Sequence, residues 1–339
     1  MGIIFISRAF FVEKRTLICY NEREKKKEEK EMEKNNNLVV NLSPEKKSGL
    51  IFSAVSVLPS FIATVFLIAA SALGLMGEGY ETKQWFLYAN FLLPQIAFAL
   101  AFFFFLFYAK TPVRAAFGLP KARYFLLAVV LQFGLLSLGE LNGLFLRFLG
   151  EFGYVNTPTS LPSTAGFGIV GVLITVALLP AVFEEGVFRG VMLGGMRSFG
   201  AVGCVLISGA LFALFHQNPA QTLYQFCCGA AYALLAYKAG SAIPTMIAHL
   251  LNNAQIVLFM HFGIADFGAA ALPVAICSGV CLIAVVLYLA IFDCKKEKVE
   301  EMHSLPEPVN ADKKGFFITA SVGIVLCAIN WISTLVSGF

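Results

Sequence analysis

"GFGIVGVLITVALLPAVFEEGVFRGVMLGGM", residues 166–196, decides the fold. A bilayer-spanning helix needs about 20 predominantly apolar residues, and this run exceeds that length. Yet it carries Glu184, Glu185 and Arg189 near its middle. A charge at mid-bilayer costs roughly 2.5–3.5 kcal/mol on insertion scales, so such residues persist when paired, solvated in a cavity or used.

The rest of the chain has the same character. Of 339 residues, 58% are hydrophobic and 14% charged, where a soluble domain carries about a quarter charged residues. Apolar runs fall near residues 50–76, 84–108, 124–149, 166–196, 199–217, 219–237, 241–262, 268–292 and 315–338. The fifth and sixth are the shortest. This predicts an all-α, polytopic membrane bundle of about eight or nine transmembrane helices. Residues 1–48 read as a polar, charged tail without fixed structure. Residues 50–165 hold three helices, 166–262 a core of four, and 268–339 the C-terminal helices with a charged loop. The opening "MGIIFISRAFFV" (1–12) has no basic n-region or small-residue cleavage site, so no cleaved signal is read there.

The net charge of +4 is segregated into tail and loops, which excludes a nucleic-acid surface. Lys and Arg alternate between loops. Lys110, Arg114, Lys121, Arg123, Arg197, Lys238 and the lysines at 295–298 and 313–314 share a side with the tail, whose N-terminus is expected in the cytoplasm. Cys204, Cys227, Cys228, Cys277, Cys281 and Cys327 lie in apolar runs and imply neither disulfides nor a metal pair.

Five ionisable residues remain within or near the bilayer between 166 and 292: Glu184, Glu185, Arg189, His216 and His249. Glu185 and Arg189 are i,i+4 on a helix and can pair. Glu184 is rotated about 100° away and needs a partner on another helix. Gly186, Gly190 and Gly194 form a small-x-x-x-small ladder that invites a neighbouring helix. Pro180 can kink the helix and free a carbonyl. The following helices offer His216 in "LFALFHQNP" and His249 with Asn253, at i,i+4, in "PTMIAHLLNNAQ".

That set suits hydrolysis. A carboxylate in a low-dielectric pocket can act as a general base on water. An imidazole can orient that water or protonate a leaving amine, and His and Asn can donate to an oxyanion. Arg189 would hold Glu185. By helix rise, His216 lies near the outer end of its helix while Glu184 is midway along its own. The two must meet at one depth to share a site.

"EEGVFR" fits E-E-x-x-x-R, "FALFH" fits F-x-x-x-H and "HLLNN" fits H-x-x-x-N. In this order, over roughly 166–262, the chain resembles the CAAX-prenyl-protease and bacteriocin-processing (CPBP or Abi) family, which includes the type II CAAX endopeptidases. The resemblance implies an intramembrane endopeptidase with Glu184 as the base, His216 positioning water, His249 and Asn253 stabilising the oxyanion, and Glu185 and Arg189 in support. It implies membrane-associated protein or peptide substrates in a bilayer. The family has been described both as metalloproteases and as glutamic proteases. Glu184, His216 and His249 could ligate zinc, but no H-E-x-x-H is present, and a metal-independent mechanism without cofactor is favoured.

Simpler readings stand beside this one. Glu185–Arg189 alone could be a packing ion pair, and His249 with Asn253 could be interhelical glue. Glu140 reads as interfacial, and His261 and His303 as solvated. The same polar residues could line the path of a transporter or channel, or belong to a non-catalytic immunity or scaffold protein.

Overall fold

Helix starts are set by local chemistry. Ser43 accepts from the Lys46 backbone N–H at 3.2 Å, just before Pro44 opens the first helix. Asp312 does the same for the last, accepting from the Gly315 N–H at 2.8 Å. Such caps satisfy donors that a helix start leaves orphaned. The computed structural model describes residues 39, 41–109, 117–156, 160–264, 267–293 and 311–339. The expected disorder of the tail before residue 39, and the solvated His303, lie outside the described residues. The first helix begins at Pro44, ahead of the expected start near 50.

Helices run α1 Pro44–Ala72, α2 Gln84–Tyr108, α3 Ala122–Glu151, α4 Gly168–Gly195, α5 Gly200–Phe215, α6 Thr222–Ala239, α7 Ile243–His261, α8 Ala271–Leu287 (continued to Phe292) and α9 Lys313–Ser337. There is no strand among the described residues. Eight of these segments are long and apolar enough to cross a membrane, α5 only when the Arg197–Phe199 turn before it is counted; α6 is the exception, diluted by Thr222, Gln225 and Lys238. The expected all-α membrane bundle is what forms. Ser43–Phe339 makes one compact unit.

Successive helices alternate in direction. Lys46 pairs with Asp312 at 3.1 Å, Ser48 donates to Met192 O at 2.9 Å, and Arg123 pairs with Asp293 at 2.9 Å. These contacts bring the starts of α1, α3 and α9 to the ends of α4 and α8. Lys46, Lys47 and Arg123 therefore lie at one end of the bundle. At the other, the Val155 N–H donates to Gly338 O.

Close contacts use glycine where backbones meet. A Cβ on Gly229 of α6 would lie 3.1 Å from the Cα of Gly209 in α5, and one on Gly323 of α9 would lie 2.8 Å from the Cα of Ser53 in α1. Small residues at such crossings substitute for a hydrophobic drive that lipid does not supply. The anticipated ladder on α4 works differently. Gly186 and Gly190 accept the rings of Phe102 and Phe117, and Gly194 faces open space. Phe188, fully buried, gathers Phe52, Phe98, Phe212 and Phe215 around it.

Two features of this frame place the site. First, α4 alternates: π-helical turns at Leu173–Leu178 and Gly186–Met192 flank an α-helical Leu179–Glu185. Such turns inside helices are frequent at functional sites. Second, α5 is short. Its end sits inside the bundle, because the turn after it bonds to α9 two turns before that helix stops: Asn330 donates to Gln217 at 2.8 Å and Trp331 to Thr222 at 2.8 Å. His216 caps α5 and is thereby recessed to the depth of Glu184.

Candidate active site

Above this recessed turn is a cavity of about 740 Å³. Glu184, His216, His249 and Asn253 all line it. Glu185 and Arg189 lie behind its wall, 0% and 3% exposed.

Glu184 accepts from Gln95 Nε2 of α2 at 2.9 Å. Glu185 Oε1 takes two partners, Arg189 Nη1 at 2.8 Å and His249 Nδ1 at 2.9 Å. The i,i+4 pair is thus present as expected, but His249 bonds Glu185; with Glu184 it shares the cavity only. Arg189 also donates to Gly229 O at 2.9 Å and lies 4.5 Å from the Phe212 ring centroid. Its charge is compensated on both faces, by a carboxylate and by π-density.

The two imidazoles are fixed alike. His216 Nδ1 donates to Phe212 O at 2.7 Å. A carbonyl only accepts, so this bond sets the tautomer and leaves Nε2 with a lone pair. His249 Nδ1 is held by Glu185, and its ring stacks on Tyr232 with centroids 5.8 Å apart. In both rings Nε2 is the nitrogen left for the cavity.

Asn253 Nδ2 donates to Val176 O at 2.9 Å. Pro180 lacks the N–H that would serve this carbonyl one turn earlier, so the proline does free an acceptor. Asn252 extends the network. Its Oδ1 accepts from Tyr224 at 2.7 Å and Gln132 at 3.1 Å, and its amide donates to Asn253 at 3.2 Å.

Sequence reasoning missed Gln95, Asn252, Tyr224 and Gln132. The one signal for Gln95 was a lone amide after Pro94 in the apolar run "FLLPQIAFAL". Glu140 is exposed and does not line the cavity, whereas Asn142 does. His261 is exposed, bonded to Thr164 at 3.0 Å. Among the described residues no group of three His, Cys, Asp or Glu side chains is disposed to hold a metal ion.

A polytopic helical bundle thus brings a recessed carboxylate and two oriented imidazoles to one cavity. Residues 166–255 match the family described as Type II CAAX prenyl endopeptidase Rce1-like. This agrees with the resemblance carried by the three motifs and supports a CAAX-type intramembrane endopeptidase. No curated relative and no solved structure matched the chain.

Proposed function

We propose that the protein hydrolyses peptide bonds of membrane-associated proteins or peptides, with Glu184 activating the attacking water. The supporting observation is the convergence of Glu184 and the Nε2 edges of His216 and His249 on one cavity. Water held between Glu184 and His216 Nε2 gives its proton to Glu184 as its oxygen adds to the substrate carbonyl. His249 in its imidazolium form donates from Nε2 to the resulting oxyanion, and Glu185 stabilises that charge. The second amide N–H of Asn253 donates beside it. Glu184 then returns the proton to the amide nitrogen as the C–N bond breaks. Glu184, Glu185, Arg189 and imidazolium His249 together carry no net charge, which limits the desolvation cost of the cluster.

In this reading no step passes through a metal, and the basic end of the bundle faces the cytoplasm. The test is cleavage by purified protein in liposomes. Replacing Glu184 with Ala abolishes it while insertion and melting temperature are kept, and chelators leave the wild-type rate unchanged. Retained cleavage in the Glu184→Ala protein removes the assignment; loss on chelation removes the metal-free mechanism.

A further inference from the structure

The backbone turns sharply after His216. Gln217 has a φ of 51°, in the left-handed region, and every other described residue with positive φ is a glycine. His216 caps α5, so Gln217 holds the next position, where helices commonly end on glycine because a Cβ is strained there. The main chain on both sides is tied down. The Gln217 N–H donates to Leu214 O at 3.0 Å, and Asn218 Oδ1 accepts from the Ala220 N–H at 2.9 Å.

A long side chain at a position that favours glycine calls for a use. Both ends of the Gln217 amide reach α9. Its Oε1 accepts from Asn330 Nδ2 at 2.8 Å, and its Nε2 donates to Cys327 Sγ at 3.5 Å. Cys327 and Asn330 stand at i,i+3, so one face of α9 grips the amide. Asn330 is 113 positions along the chain from Gln217 and does not line the cavity. A strained residue persists when its surroundings over-determine it, and here α9 supplies that constraint. The residue next to it is His216, whose ring is tethered to Phe212 O at 2.7 Å. The place of its Nε2 in the cavity therefore follows the backbone of this turn.

Resting on the hydrolytic reading above, we propose that Asn330 is a positioning residue for the reaction: through Gln217 it holds the turn that sets His216 Nε2 at the depth of Glu184. Asn330 touches no reacting atom, so its loss should appear in kcat and leave substrate binding nearly as it was.

The test uses the purified full-length protein in liposomes and a peptide built on a cleavage site mapped in membranes by its dependence on Glu184. A misplacement of about 1 Å can cost a rate about a hundredfold, so Asn330→Leu, which loosens the turn, should lower kcat about tenfold. KM should stay within about twofold. Gln217→Gly and Gln217→Ala both remove the amide, but only glycine takes the left-handed turn without strain. Gln217→Gly should thus have a kcat about tenfold above that of Gln217→Ala. Adding Asn330→Leu to Gln217→Gly should change kcat by less than about twofold, because the two substitutions act through one turn. If Asn330 only packs the bundle, its replacement costs the same with Gln or Gly at position 217. That result overturns the proposal, and so do equal kcat values for Gln217→Gly and Gln217→Ala or a wild-type kcat in Asn330→Leu. Should Asn330→Leu fail to insert, the glycine and alanine pair decides. Glu184-dependent cleavage with no difference between that pair removes this inference alone; no Glu184-dependent cleavage removes the hydrolytic reading and this inference with it.

Discussion

Glu185 and His249 join α4 to α7 through a 2.9 Å hydrogen bond, and the oxygen that makes it also holds Arg189 at 2.8 Å. All three side chains are buried. Removing one partner of a buried ion pair is destabilising by about 3–5 kcal/mol, because the other charge is left uncompensated. Arg189→Ala should therefore lower stability by that order, and Glu185→Ala likewise. The double variant should lose less than the two together. Thermal unfolding in detergent measures all three, and strict additivity would contradict the coupling.

Gln95 tests the cavity wall without touching that pair. Its Nε2 is the hydrogen-bond donor found on Glu184. A hydrogen bond to a charged group is worth about 1.5–3 kcal/mol. Gln95→Met, close in shape, should reduce Glu184-dependent cleavage at least about tenfold. The melting temperature should fall by no more than a few degrees, since Glu184 is the side chain that Gln95 hydrogen-bonds.

Asn253 distinguishes an amide from its isostere. Asn253→Asp sets a carboxylate oxygen against Val176 O, where Asn253→Ala only removes the donor. Both leave a carbonyl unserved, at about 1–3 kcal/mol. The aspartate variant adds repulsion and should unfold at the lower temperature. The reverse order would show that the amide bond to Val176 is not formed.

Gly229 links packing to electrostatics. An added Cβ would meet Phe212 Cβ at 3.0 Å as well as Gly209, and the Gly229 carbonyl serves Arg189. Overpacking of this kind is destabilising by about 1–3 kcal/mol. Gly229→Leu should thus impair cleavage as well as stability, whereas Gly194→Leu, at a position facing open space, should affect neither.

Asp312 gives a pH signature outside the membrane. Its hydrogen bond with Lys46, then that from the Gly315 N–H, holds its carboxyl below the usual value. A depressed folded pKa stabilises above the unfolded value of about 3.9. The contribution is lost as pH falls through the folded value. The wild type should melt above Asp312→Asn at neutral pH, and the gap should close under strong acid. A gap that persists there would mean the charge is not what stabilises the cap.

Local relationships were legible in the sequence and interhelical ones were not. The Glu185–Arg189 pair follows from i,i+4 spacing alone, and the apolar runs mark the helices among the described residues, though the first starts at Pro44 and not near 50. His249 bonding to Glu185 depends on how α7 is rotated against α4, whose π-helical turns alter the phase of its faces. Gln95 lies 89 positions from Glu184, with no spacing rule to join them. The Gly186–Gly190 ladder looked like a helix crossing because glycine marks absent volume without saying what fills it. Here phenylalanine rings fill it.

The shortness of α5 has a consequence for the surrounding lipid. Its 16 residues rise about 24 Å, against a hydrocarbon thickness of about 30 Å. Val202 and Leu206 are 72% and 50% exposed on its outer face. A helix shorter than the bilayer is accommodated by local thinning, so the membrane should be depressed beside α5 while the longer α1 and α9 keep its full depth elsewhere. Polar peptide would cross less hydrocarbon on that flank. Cleavage rates measured in liposomes of increasing acyl length should fall as thickness grows, and a rate indifferent to thickness would place the route of entry on another side of the bundle.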